Sequence, residues 1–144
     1  MSTERAIELL PSQLRMAIMR LARRLRQEAG SDITWSQQSA LASVERRGPI
    51  SLKDLAEVEN ITPPSMTRIS THLEECGLVV RAVDAADRRV AHLAITDDGR
   101  LLLAKTRSRR DAYLAERLLA LAPEDRAILQ RALPLLEHLM GESK

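Results

Sequence analysis

The hydrophobic pattern of this chain changes its period once, between residues 78 and 95. On both sides, apolar residues recur every three or four positions, as they do on one face of a helix. Inside the interval, Leu78-Val79-Val80-Arg81-Ala82-Val83 and Val90-Ala91-His92-Leu93-Ala94-Ile95 are short, rich in β-branched residues and partly alternating, which predicts two strands. Asp84-Ala85-Ala86-Asp87-Arg88-Arg89 joins them as a polar turn with arginines at its tip. The class is therefore mainly α with one small β-hairpin.

The helices can be placed by their punctuation. From about Thr3 to Ala29, a stripe of Ile7, Leu10, Leu14, Ile18, Leu21 and Leu25 draws one apolar face,. Pro11 lies inside it, as a kink or as the true start, and Gly30-Ser31-Asp32 ends it. A second helix begins near Thr34–Ser36, carries Trp35, Leu41 and Val44, and stops at Gly48-Pro49,. Ser51 caps a third, with Asp54 at the capping-box position and Leu52, Leu55, Ala56 and Val58 on its apolar face,. Asn60 ends that helix. Thr62 caps the fourth, with Pro63 at the first helical position, where no N–H is needed, and Gly77 closes it after Cys76,. Beyond the hairpin, Thr96 and the acidic pair Asp97-Asp98 open a long helix reaching about Leu121,. Pro123 opens a last one, with Pro134 interrupting its apolar pattern. Four helices, a hairpin and two helices, with a short turn between the third and fourth, make a winged helix-turn-helix between two helical flanks. The divisions are 1–32, an N-terminal helix; 33–98, the winged unit; and 99–144, the C-terminal helices.

Composition removes several alternatives. In 144 residues no apolar run reaches the ~18–20 positions of a membrane span,. The first residues lack the design of a signal peptide. The single cysteine, Cys76, forms no internal disulfide, so a cytoplasmic setting is expected,; its natural place is as a small buried apolar residue. With one Trp, one Tyr and no Phe, the chain has no stacking platform for single strands. His72, His92 and His138 have no metal-ligand spacing,. No phosphate-binding glycine loop or nucleophile elbow occurs. Neither an enzyme nor a cofactor or metal site is expected.

The residues at the helix-turn-helix and wing resemble those of the MarR-type (multiple antibiotic resistance) transcriptional regulators. Leu55-Ala56 followed by Ile61-Thr62-Pro63-Pro64-Ser65-Met66-Thr67-Arg68 is similar to the family's scaffold and recognition helices. Leu73 through Gly77-Leu78-Val79-Val80-Arg81 resembles its entry to the wing. Asp87-Arg88-Arg89 through Ile95-Thr96-Asp97-Asp98-Gly99 resembles its wing signature and the opening of the next helix, with Ile95 where the family has leucine. The likeness covers about residues 33–100, and the flanks match in length and order only. It implies a regulator, more readily a repressor, that binds double-stranded DNA and responds to a small phenolic or aromatic-acid ligand.

Helical geometry selects the candidate DNA contacts. On the fourth helix Met66, Ile69 and Leu73 share an inward face, leaving Pro64, Thr67, Arg68 and Thr71 outward, with Ser65 and His72 on the flanks,. A recognition helix offers such residues to the major groove. Arg68 is suited to guanine O6 and N7; the alternative is a solvated arginine paired with Glu74 or Glu75. Arg88 and Arg89 at the hairpin tip suit a narrow minor groove or the backbone, with the neighbouring aspartates orienting them. Ser36, Gln37, Gln38, Ser51 and Lys53 stand at helix starts, where N–H groups favour phosphates, although helix capping is an equally good account, and Thr62, the cap of the fourth helix, is a further candidate.

The flanks carry more leucine than one small domain can cover. Ile7, Leu10, Leu14, Leu118, Leu121, Leu129, Leu133 and Leu136 are the candidate contacts of a twofold homodimer on a pseudo-palindromic operator with half-sites about one helical turn apart,. The alternative is an intramolecular bundle. By the same resemblance, a ligand would sit between the dimer helices and the winged unit, where Arg15, Met16, Met19, Arg20 and Trp35 are candidates, although Met at helical spacing is more often core. A winged-helix protein-interaction module without DNA binding stays open as the rival reading. It accounts for the near-neutral charge between Arg46 and Val90 and leaves the tip arginines unexplained.

Overall fold

A computed structural model describes residues 3–141. The elements run α1 (Thr3–Ala29), α2 (Trp35–Arg47), β1 (Ile50–Ser51), α3 (Leu52–Glu59), α4 (Pro63–Glu75), β2 (Val79–Val83), β3 (Ala91–Ile95), α5 (Asp97–Leu119) and α6 (Pro123–Leu139). The caps lie where side-chain chemistry puts them. Thr34 and Gln37 form a reciprocal capping box on α2, Ser51 Oγ accepts from Asp54 N, and Thr62 Oγ1 accepts from Ser65 N,. Asn60 ends α3 in the left-handed region at φ 53°, which turns the chain sharply into α4,.

Several expectations need correction. The hairpin is not alone: β1 adds a third strand, and the order is β1-β3-β2, with Ile50 opposite Leu93 and Ser51 opposite His92. Two residues carry no readable period, so their pairing became visible only in three dimensions. α5 ends at Leu119 rather than Leu121, and α1 and α6 run through Pro11 and Pro134 without a break. Val58, placed on the apolar face of the third helix, is 37% exposed, and Trp35 on α2 is 48% exposed.

One apolar core is built from Ile33, Leu41, Val44, Ile50, Leu55, Met66, Leu73, Leu78, Val79, Leu93 and their neighbours. Every member except Leu103 falls between residues 33 and 98. Leu41, Leu55, Met66, Leu73 and Leu93 are fully buried, so α2, α3, α4 and the sheet close on one another as a unit. The flanks are held differently. α1 lies along α5, and arginines make the join. Arg109 Nη1 of α5 donates to the carbonyls of Ala29 (3.0 Å) and Gly30, satisfying the end of α1,. Arg24 of α1 and Arg117 of α5 both lie over the Tyr113 ring, at 5.7 and 5.1 Å from its centre. Arg126 Nη1 ties the start of α6 to the carbonyls of Leu118 and Leu121. Beyond that corner α6 makes no extended packing with any other described element. No helix among the described residues is long and apolar enough to cross a membrane.

Candidate nucleic-acid interface

α4 presents two faces. Met66, Ser70 and Leu73 are buried, while Pro64, Thr67, Arg68 and Thr71 are exposed and Ser65 and His72 half-buried. The outward polar groups are hydrogen-bonded within the helix and its cap. Thr67 and Thr71 hydroxyls donate to the carbonyls of Pro63 (3.0 Å) and Thr67 (2.8 Å). Ser65 Oγ accepts from Thr62 Oγ1 at 3.0 Å and from Arg68 Nη2 at 3.2 Å. Arg68 is thus steered by Ser65 rather than neutralised by Glu74 or Glu75, and its other donors meet no partner among the described residues.

The wing is fastened to this helix by Arg81, which the sequence placed at the entry to the wing without assigning it a contact. Arg81, on β2, donates through Nη2 to Ser70 Oγ at 3.4 Å, and its Nε lies 3.4 Å from Glu74 Oε2. Glu74, one of the acids considered for Arg68, is engaged here instead. Nothing in local spacing signals the contact, because it joins two elements through the tertiary fold.

At the tip, Asp84 Oδ1 accepts from Ala86 N (2.7 Å) and Asp87 N (3.4 Å), which bends the chain. Asp87 Oδ1 then accepts from Arg89 N (3.0 Å) and Arg89 Nε (3.1 Å). The Arg89 guanidinium, and after it the Arg89 backbone N–H, hold the Asp87 carboxyl below its ordinary pKa. The Arg89 side chain is nonetheless 90% exposed, and Arg88 is exposed with no partner among the described residues. Behind the tip, Ser51, Lys53, Arg81 and Arg89 line a groove of about 430 Å³ with three cations.

The residues at helix starts divide. Ser36 is exposed, and Ser51 and Thr62 are occupied as caps. Gln38 is turned inward, 6% exposed, with Oε1 accepting from Arg110 Nη2 at 2.9 Å. Cys76, expected inside, is exposed, with Sγ 3.5 Å from His72 Nε2. Gly77, at φ 71°, turns the chain away just after it.

A second feature lies between α2 and α5. A cavity of about 330 Å³ is lined by Trp35, Gln38, Ser39, Ala42, Arg46, Leu103, Arg107 and Arg110. Arg26 of α1 and Arg110 of α5 each lie 5.1 Å from the centre of the Trp35 ring. Gln38 Nε2 and Arg110 Nε are buried without a hydrogen-bond partner. Burial, then the neighbouring Arg107 and Arg26 guanidiniums, lower the Arg110 pKa below the ordinary arginine value. Of the five residues expected around a ligand, only Trp35 lines this cavity. Arg15, Met16, Met19 and Arg20 are exposed on α1. The arginines of α5 were missed because they lie some 70 residues along the chain from their partners on α2, such as Gln38.

Comparison with known proteins gives a consistent result. The family model described as MarR family matches residues 33–91. An uncharacterized HTH-type (helix-turn-helix) transcriptional regulator of Mycobacterium bovis is 38% identical over 135 residues, 93% of this chain and 94% of that protein. The HTH-type transcriptional repressor MdtR of Bacillus subtilis is 30% identical over 93 residues, 65% of this chain and 60% of its own length. A crystal structure of a protein from Pseudomonas aeruginosa superimposes with a TM-score of 0.84 and 30% identity, covering 93% of this chain and 96% of that one.

Proposed function

Because the chain belongs to the MarR family of transcriptional regulators, we propose that it is a cytoplasmic homodimer that binds a pseudo-palindromic double-stranded operator, represses transcription there, and lets go when a small aromatic acid enters the Trp35 cavity. The observation that carries the DNA reading is the Arg81 tie. It makes one body of two separately exposed arginine sites, Arg68 on α4 and Arg88 at the wing tip. Major-groove and minor-groove or backbone contacts then arrive together. Repression is supported by the name of the similar repressor MdtR.

Dimerisation is supported by what α1 and α6 leave uncovered. Ile7, Leu10, Leu129 and Leu133 are 63%, 56%, 46% and 55% exposed, and Leu121 is 38% exposed. Leu14, Leu118 and Leu136 are half-buried beside them. An apolar surface of this extent needs a cover, and a second copy supplies the same surface about a twofold axis. The aromatic-acid reading rests on the cavity's chemistry. It offers one aromatic wall, several guanidiniums, and two buried donors whose lack of a partner is costly until an acid oxygen accepts from them.

The test is a selection from a randomised duplex pool, followed by salt titration of the winner. Specific binding that weakens steeply with salt is the expected result. If no duplex is preferred over random DNA at low salt, the DNA reading falls and the protein-interaction module takes its place.

A further inference from the structure

Glu59 is the last residue of α3, immediately before left-handed Asn60 and the turn into α4. Its carboxylate is held by another helix. Ser39 Oγ donates to Oε2 at 2.7 Å and Ser43 Oγ donates to Oε1. Ser39 and Ser43 stand one turn apart on α2, so the two oxygens of one carboxylate span two rungs of that helix. Ser43 is fully buried, and its oxygen accepts in turn from Arg46 Nη2 at 3.1 Å. The arrangement does nothing for α3 itself, since a carboxylate at a helix C-terminus opposes the helix dipole. Its effect is on the relation between two helices.

We propose that Glu59 is a positioning residue for base selection, setting the angle at which α4 meets DNA. The inference rests on the DNA-binding reading above. The apolar contacts of Leu55, Met66 and Leu73 bury surface but carry little direction,. A two-point, charge-assisted attachment fixes the roll of the α3 end on α2 as well as its distance. Only Asn60, Ile61 and Thr62 separate that end from α4, so the orientation of Arg68 and Thr71 follows from it. Arg46, at the far end of the chain of hydrogen bonds, also lines the Trp35 cavity. An acid held there draws on the guanidinium that supports Ser43, which gives the cavity a route to the recognition helix.

The test compares affinity for the selected duplex with affinity for random duplex at one salt concentration, in the full chain. Glu59→Ala is expected to lower that ratio about tenfold, the equivalent of about 1.4 kcal/mol, while affinity for random DNA stays within about twofold. The double variant Ser39→Ala/Ser43→Ala should lose as much, and adding Glu59→Ala to it should lose little more. Glu59→Gln, which still accepts one hydroxyl, should keep part of the preference. A ratio unchanged in Glu59→Ala, or equal losses on both duplexes, would overturn the inference, the second outcome marking a purely structural role. If Glu59→Ala does not fold, the serine double variant decides by the same ratio. Failure of the wild-type protein to select any duplex would overturn the DNA reading, and this inference with it.

Discussion

The Arg110 guanidinium lies 5.1 Å from the centre of the Trp35 ring, and Arg26 of α1 lies equally near it. The one tryptophan therefore joins three helices at a point where two cations are held close together. Each such contact contributes about 0.5–1 kcal/mol at an exposed site. Trp35→Ala should lower stability by about 1–2 kcal/mol, measured by urea unfolding followed by circular dichroism. In the wild-type protein, adding benzoate should change the tryptophan fluorescence and release the selected duplex. A silent titration would remove the aromatic-acid reading and leave the DNA reading intact.

Arg68 is steered by Ser65, with its remaining donors free among the described residues. Arg68→Ala should relax base preference at one position in each half-site and cost about 1–3 kcal/mol there. Competition binding with single-base operator variants measures this. A uniform loss on every sequence would make Arg68 a phosphate contact.

Asp87 has its pKa lowered by Arg89. A lowered pKa in the folded state means that the Asp87–Arg89 contact adds its support above the ordinary carboxylate pKa. That support is lost as pH falls through the lowered value. Carboxyl-carbon NMR should find Asp87 titrating below its ordinary value of 3.8, and Arg89→Ala should move the midpoint back up. At neutral pH the Asp87–Arg89 contact is thus present in its charged form,.

Gly99 sits inside the first turn of α5, where a methyl group would meet the Leu78 carbonyl and approach Ile95 Cγ1 to 2.7 Å. Relieving that contact requires β3 and the chain leaving α4 to move apart. Gly99→Ala should destabilise the protein by about 2–3 kcal/mol in a denaturant titration, although alanine is the better helix former.

α6 finds no extended packing within its own chain. Leu133→Glu should convert a dimer to a monomer in light scattering, with melting of the winged core little changed because Leu133 contributes nothing to it. Operator affinity should fall steeply, since each half-site would then bind alone.

Local chemistry was the legible part. The N-caps Thr34, Ser51, Thr62 and Thr96 each act through their own next residues, so their positions could be read directly from the chain. Met66 and Leu73 were likewise readable, because a 3.6-residue period survives tertiary context. What escaped was contact across the fold. Gln38 looks like any polar residue near a helix start until Arg110 lies against it, and Arg81 looks like an ordinary strand residue until α4 passes beside it. Trp35 stood out as the one tryptophan, but the guanidiniums of Arg26 and Arg110 that lie against its ring come from two other helices and left no local signal.

Arg81 has one more implication, for the DNA rather than the protein. With β2 joined to α4 through the Arg81 contacts to Ser70 and Glu74, the span between the two proposed arginine contacts would act as a ruler. A duplex whose grooves do not match that span must bend, twist or narrow to be held at both ends, and the work depends on the stiffness of base steps that no side chain touches. Sequence preference would then extend to uncontacted positions between the two contacts, and flexible pyrimidine–purine steps there would be favoured over rigid ones.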